Sequence, residues 1–237
     1  MGILRNILGH KKRNPPKEEH LLPSDYRAVE MGGRFSMASW ERLYANVQAV
    51  RYVVNAGLNG AIVECGVWRG GSMMAMAQTL KNLDNTDYQL HLYDTFSGMS
   101  APAEQDGEFA SQKYQKLQTG KDQSDWCNAG LAEVKSNLQQ VEYPDDKIFY
   151  IEGKIEHTVP ASLPKEISIL RIDMDWYEPT LHSLKHMFPR LISKGVIIID
   201  DYGHWEGCRR AVDEYFEQQG INVLLNRIDY TGRIGIK

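Results

Sequence analysis

The feature that most narrows the folds open to this chain is a repeated unit: a short apolar run, an acidic residue at its end, and a helical stretch after it. Ala61-Ile62-Val63 ends at Glu64, Leu90-His91-Leu92-Tyr93 at Asp94, residues 147–151 at Glu152-Gly153, residues 167–172 at Asp173, and residues 196–199 at Asp200. Helical stretches fill the intervals, most clearly over 129–141, 179–191 and 205–218. A further helix starts at a capping Ser39 and runs to about Asn55, because Leu43, Val47, Val50 and Val54 recur at helical spacing and Gly57 follows. Continuous apolar strands separated by helices predict an α/β fold with a doubly wound, mostly parallel sheet covered on both faces. Residues 221–228 and 233–236, around Tyr230-Thr231-Gly232, read as a closing antiparallel hairpin.

Composition bounds the rest. The 237 residues are 42% hydrophobic and 24% charged, which excludes disordered and fibrous classes and allows one large domain. Residues 1–35 are polar and proline-containing without a sustained period, so they read as an N-terminal arm that could pack on a second copy; the domain then spans 36–237. That arm is the reason to expect a homo-oligomer. A net charge of −4 offers no basic surface for nucleic acid. Cys65, Cys127 and Cys208 are odd in number and widely spaced, which argues against a disulfide framework or thiolate zinc site and suits the cytoplasm. The apolar pairs Ile3-Leu4 and Ile7-Leu8 are too short for a signal peptide or a membrane span, and Asn6 breaks the myristoylation pattern after Gly2. No membrane partner is expected. The stretch 96–130 is long for a structureless loop, so it reads as a lid insert or as hidden helix. Met73, Met74 and Met76 read as core behind the following turn.

The residues that carry chemistry gather at the strand ends, where open α/β sheets bind ligands. An acid in that position can equally cap the next helix. The first turn, Glu64-Cys65-Gly66-Val67-Trp68-Arg69-Gly70-Gly71-Ser72, is neither the dinucleotide G-x-G-x-x-G nor a phosphate loop. Glu64 would oppose a pyrophosphate and suits a cationic or amino-bearing ligand. Asp94 follows Gly70 by 24 positions, about where a ribose-binding carboxylate ends the second strand of adenosine-binding folds. Two acid pairs, Asp173 with Asp175 and Asp200 with Asp201, end two successive strands. If those strands are neighbours, the carboxylates would repel unless a divalent cation joins them, and oxygen-only ligation suits Mg²⁺. On an extended backbone Asp200 and Asp201 point oppositely, so all four are not expected on one ion.

The glycine turn 64–72, Tyr93-Asp94-Thr95-Phe96-Ser97-Gly98-Met99, Arg171-Ile172-Asp173-Met174-Asp175-Trp176-Tyr177-Glu178-Pro179-Thr180 and Ile199-Asp200-Asp201-Tyr202 together resemble the macrocin O-methyltransferase family, in matching order from about Ala61 to Phe216. The resemblance implies a Rossmann-like class I methyltransferase domain with a seven-stranded sheet, S-adenosylmethionine and Mg²⁺ as cofactors, and methylation of a hydroxyl on a sugar or natural-product acceptor. It implies that Glu64, Gly66 and Gly70 line the methionine part of the cofactor, that Asp94 accepts the ribose hydroxyls, and that Ser97 lies near them. Asp173 would touch the cofactor as well as the metal. Asp173, Asp200 and Asp201 would hold the metal. Candidate bases are His204, Asp175 and His157, and Tyr202, Trp176, Tyr177 and Trp205 could stack on a ring near the same crevice. Two rival readings are a nicotinamide-dependent oxidoreductase, which predicts a G-x-G-x-x-G turn, and a non-catalytic adenosine-compound binding protein, which predicts a blocked acceptor pocket.

Overall fold

The computed structural model describes residues 21–237. The first half runs α1 (Pro23–Gly33), α2 (Trp40–Asn55), β1 (Ala61–Cys65), α3 (Gly71–Asn82), β2 (Leu90–Asp94), α4 (Gly107–Leu117), β3 (Gln118–Gly120), β4 (Gln123–Ser124) and α5 (Leu131–Gln139). The second half runs β5 (Ile148–Glu152), α6 (Ile155–Thr158), β6 (Ile167–Ile172), α7 (Tyr177–Met187), β7 (Leu191–Ile199), α8 (Glu206–Gln219), β8 (Asn226–Arg227) and β9 (Arg233–Ile236). Seven strands form one sheet in the order β5-β2-β1-β6-β7-β9-β8. The first five are mutually parallel, and β9 and β8 add antiparallel at one edge. The doubly wound sheet and the closing hairpin are therefore as the apolar pattern predicts.

Alternate residues of the central strands β2, β1, β6 and β7 serve opposite cores, which is why those runs are continuously apolar. Ile62, Leu90, Leu92, Ile169, Val196 and Ile198 face the layer of α2, α3 and α5. Val63, Cys65, Tyr93, Leu170, Ile172, Ile197 and Ile199 face α7 and α8. Met73, Met74 and Met76 are fully buried in the first core. Ser39 caps α2 by accepting from the Arg42 amide at 3.1 Å, the position its sequence signals.

The N-terminal boundary differs from the expected one. Residues 1–20 of the anticipated arm lie outside the described residues, but Pro23–Gly33 is a helix that belongs to the domain. It packs on α3 so closely that a Cβ on Gly32 would meet the carbonyl oxygen of Gly71. Its buried face consists of Ala28, Val29, Gly32 and the carboxylate of Asp25, which Arg51 clasps. Small and charged residues gave that face no hydrophobic signature. The 96–130 stretch holds the hidden helix α4 and the β3–β4 hairpin. The Asp106 carboxylate accepts from the Tyr177 amide at 2.7 Å and ties it to the start of α7. No helix among the described residues is long and apolar enough to cross a membrane.

Candidate active site

The chain leaves β1 to build β2 and β5 on one side, then returns to place β6 on the other, so the strand order switches at β1 and β6. A cavity of about 330 Å³ lies beyond the carboxyl ends of these strands. Glu64, Gly66, Asp94, Asp173, Asp175, Asp200, Asp201 and His204 all line it. Gly70 and Ser97 do not. Gly70 turns the chain into α3 at φ +88°, and a Cβ there would press on Leu138. The Ser97 amide donates to Thr95 Oγ1 at 3.3 Å. His157 is exposed on α6 and also lies off the wall.

The glycine turn is held by backbone proximity and by Asp94. Gly66 has φ +81°, and a Cβ there would collide with the Asp173 carbonyl oxygen, so this position needs glycine for close approach of the β1 and β6 loops. Asp94 Oδ2 accepts from the amides of Val67 and Trp68 at 2.6 and 3.1 Å, and Oδ1 accepts from Phe96 at 2.7 Å. Burial raises its pKa while these amides oppose the shift. Thr95 Oγ1 adds a long contact to Oδ1 at 3.4 Å, the weakest of the four and the one a ligand hydroxyl could replace.

Asp173, Asp175 and Asp201 each place a carboxylate oxygen within 4.8 Å of the others. Asp175 joins because its backbone is left-handed, φ 58°, so the extended geometry that governs alternation in a strand ends before it. Asp201 Oδ2 is buried without a hydrogen-bond partner. Burial, and then the mutual charges, drive the Asp175 pKa up to about 8 and hold that of Asp201 well above the usual carboxylate range. Three converging hard oxygens, one of them orphaned, are a donor set that a dication satisfies.

Asp200 points the other way. Its oxygens meet Arg42 of α2 and Arg171 of β6, the latter at 2.5 Å. Arg171 is 1% exposed and also bonds Glu64 at 2.7 Å and Asp173 at 2.8 Å. The charge of Glu64 is therefore met inside the protein rather than left for a ligand. Arg42 continues to Asp229 in the hairpin turn at 3.1 Å, and Thr231 Oγ1 donates to the Asp200 carbonyl at 2.7 Å. This ion network is the part of the site that sequence reasoning missed; a lone arginine inside the apolar run 167–172 was the available signal.

His204 Nδ1 lies 2.5 Å from the Tyr230 hydroxyl, and burial lowers its pKa, which favours a neutral ring. Of the aromatic candidates, Trp176 and Trp205 line the cavity and pack edge to face at 5.0 Å. Tyr177 and Tyr202 turn away to Glu214 and Asp213 on α8. Lys113, Trp126, Cys127 and the turn 153–156 also line the cavity. The first three fall in the 96–130 stretch read as a lid insert or hidden helix, and Gly153 follows a strand end, but no local pattern singled out these side chains.

Sheet order, switch-point cavity and strand-end carboxylates together define a class I O-methyltransferase. Residues 16–234 match the family described as Macrocin-O-methyltransferase (TylF). The chain belongs to that family, which sets aside the nicotinamide-dependent alternative. It is similar to the 8-demethyl-8-(2,3-dimethoxy-alpha-L-rhamnosyl)-tetracenomycin-C 4'-O-methyltransferase of Streptomyces olivaceus, with 30% identity over 92% of this chain and 80% of the relative. The Mycinamicin III 3''-O-methyltransferase of Micromonospora griseorubida is 31% identical over 83% of this chain and 76% of its own. Among solved structures, the O-methyltransferase NovP superposes with a TM-score of 0.77 at 27% identity, covering 86% of this chain and 82% of that one.

Proposed function

We propose that the protein transfers a methyl group from S-adenosylmethionine to a hydroxyl of a sugar or natural-product acceptor, with Mg²⁺ assistance. The observation that carries this reading is the convergence of Asp173, Asp175 and Asp201 in the same cavity as Gly66 and Asp94. The relatives named above act on glycosylated natural products by their names, which supports a hydroxylated acceptor here.

S-adenosylmethionine supplies an electrophilic methyl carbon whose positive charge fades as transfer proceeds, so the protein's task is alignment and activation of the oxygen. Asp94, on the cavity wall, accepts the ribose hydroxyls in place of its long Thr95 contact, and the turn at Gly66 flanks the methionine part. The chemistry a bound Mg²⁺ supplies is acidification and orientation of the acceptor hydroxyl. Asp173 and Asp201 would hold the ion. Asp175 and Asp200 compete for the third position: Asp175 by proximity, Asp200 by release from Arg42. The acceptor's proton goes to Asp175 or to the neutral ring of His204, the two cavity groups poised to take it. A homo-oligomer, expected from the polar N-terminal arm of residues 1–35, and a cytoplasmic location remain part of this proposal.

Calorimetry with S-adenosylhomocysteine tests the donor: saturable binding is expected, weakened at least about tenfold in Asp94→Ala. Manganese titration followed by electron paramagnetic resonance tests the ion. Asp173→Asn and Asp201→Asn should abolish binding, and comparison of Asp175→Asn with Asp200→Asn identifies the third ligand. Wild-type turnover in excess chelator would overturn the metal assignment.

A further inference from the structure

Three cations line the cavity: Arg42, Lys113 and Lys154. Arg42 is paired with Asp200 and Asp229, and Lys154 lies 3.7 Å from Asp122. Lys113 alone of the three has no carboxylate within ion-pair distance among the described residues. Its ammonium rests 3.7 Å from the centroid of the Trp126 ring. The side chain is half-buried, and burial pulls its pKa down while Cys127 and Asp175 nearby oppose that shift. A cation taken partly out of water without a carboxylate in direct contact is costly, and an aromatic face and the more distant Asp175 offset only part of the cost.

The lysine is also rigidly presented. Its helix, α4, is anchored by buried Ala110 and Tyr114 against Trp126 and Trp176, and by the Asp106 contact to the start of α7. An ammonium held on a fixed wall, facing a cavity rather than solvent, is arranged to receive a ligand anion.

We propose that Lys113 is the acceptor-recognition residue of this chain and binds an anionic oxygen, from a carboxylate or a phosphate ester, carried by the acceptor. This rests on the transferase reading above, because that reading makes the cavity beside the carboxylates the acceptor's place. A neutral glycoside would leave the ammonium without its counter-ion; an acceptor bearing a uronate or a nucleoside diphosphate would supply it.

The test uses the full chain loaded with S-adenosylhomocysteine and Mg²⁺, titrated calorimetrically with three probes: methyl α-L-rhamnoside, a methyl glucuronide and TDP-rhamnose. At least one anionic probe is expected to bind about tenfold or more tighter than the neutral one. Lys113→Met should remove that advantage while leaving S-adenosylhomocysteine affinity unchanged, and Lys113→Arg should keep most of it. Preference for the glucuronide assigns a carboxylate, and preference for TDP-rhamnose a phosphate ester. The proposal is overturned if neither anion binds better than the neutral probe, or if Lys113→Met leaves the preference intact. Failure of S-adenosylhomocysteine to bind the wild type would instead sink the transferase reading, so the two failures are separable.

Discussion

Replacing Arg171 with methionine keeps the bulk of the side chain and removes the charge at the centre of the buried network. In the wild type its guanidinium contacts Glu64, Asp173 and Asp200 at 2.7, 2.8 and 2.5 Å. Asp200 would retain Arg42, and Asp173 is 31% exposed at its side chain, so the loss falls on Glu64, which is 1% exposed. Breaking one buried pair by removing a partner costs about 3–5 kcal/mol. At roughly 2–4 °C per kcal/mol for a chain of this size, the melting temperature should fall by roughly 6–20 °C. The sign of the pH dependence follows from Glu64. Burial already raises its pKa to about 8 against the opposing pull of Arg171, and removing the arginine raises it further. A folded-state pKa above the unfolded value near 4.5 means that folding takes up a proton, so stability is lost as pH rises between the two. Between about pH 4.5 and 8 Glu64 keeps its proton in both folded proteins, so the deficit of Arg171→Met should be level there and grow above about pH 8, where only the wild type holds an ionised Glu64 against a cation. Thermal unfolding followed by near-ultraviolet circular dichroism at about pH 6 and about pH 9.5 reads this directly. Adding Glu64→Gln should restore much of the extra loss at the higher pH. A melting temperature within about 3 °C of wild type, or a deficit equal at both pH values, would refute the reasoning.

Gly66→Ala places a Cβ against the Asp173 carbonyl oxygen at a positive φ, so a stability loss of about 2 kcal/mol or more is expected, with S-adenosylhomocysteine affinity falling alongside. Equal denaturation midpoints for variant and wild type would contradict it. Asp25→Ala strands the Arg51 guanidinium and should loosen α1 from the domain; faster amide exchange over residues 23–33, with the central strands unchanged, is the expected signature. Asp201→Asn removes one of three crowded charges, so the metal-free variant should be more stable than wild type by about 0.5–2 kcal/mol although its metal binding is lost. A lower melting point in chelator would show that the cluster is not repulsive.

The sequence by itself determined the α/β class, the parallel strands, the closing hairpin and the acids at the strand ends. Each of these follows from a pattern confined to a few neighbouring residues, such as the continuous apolar run of 196–199 ending at Asp200. It also marked Gly66 and Asp94, because a turn and an acid at fixed offsets are local signals. The helix α1 escaped notice because its buried face is Ala28, Val29, Gly32 and an ion-paired Asp25, and α4 is legible only as one of two readings of 96–130, without bounds, because its pattern is mostly polar. Only the tertiary structure decided which carboxylates meet. Asp175 enters the cluster through a left-handed backbone, and Asp200 leaves it for Arg42, a residue 158 positions away. Strand order and loop packing, not spacing along the chain, set which charges face one another across the cavity. The same cause hid Lys113: a counter-ion is found or missing only once the walls of a cavity have been assembled.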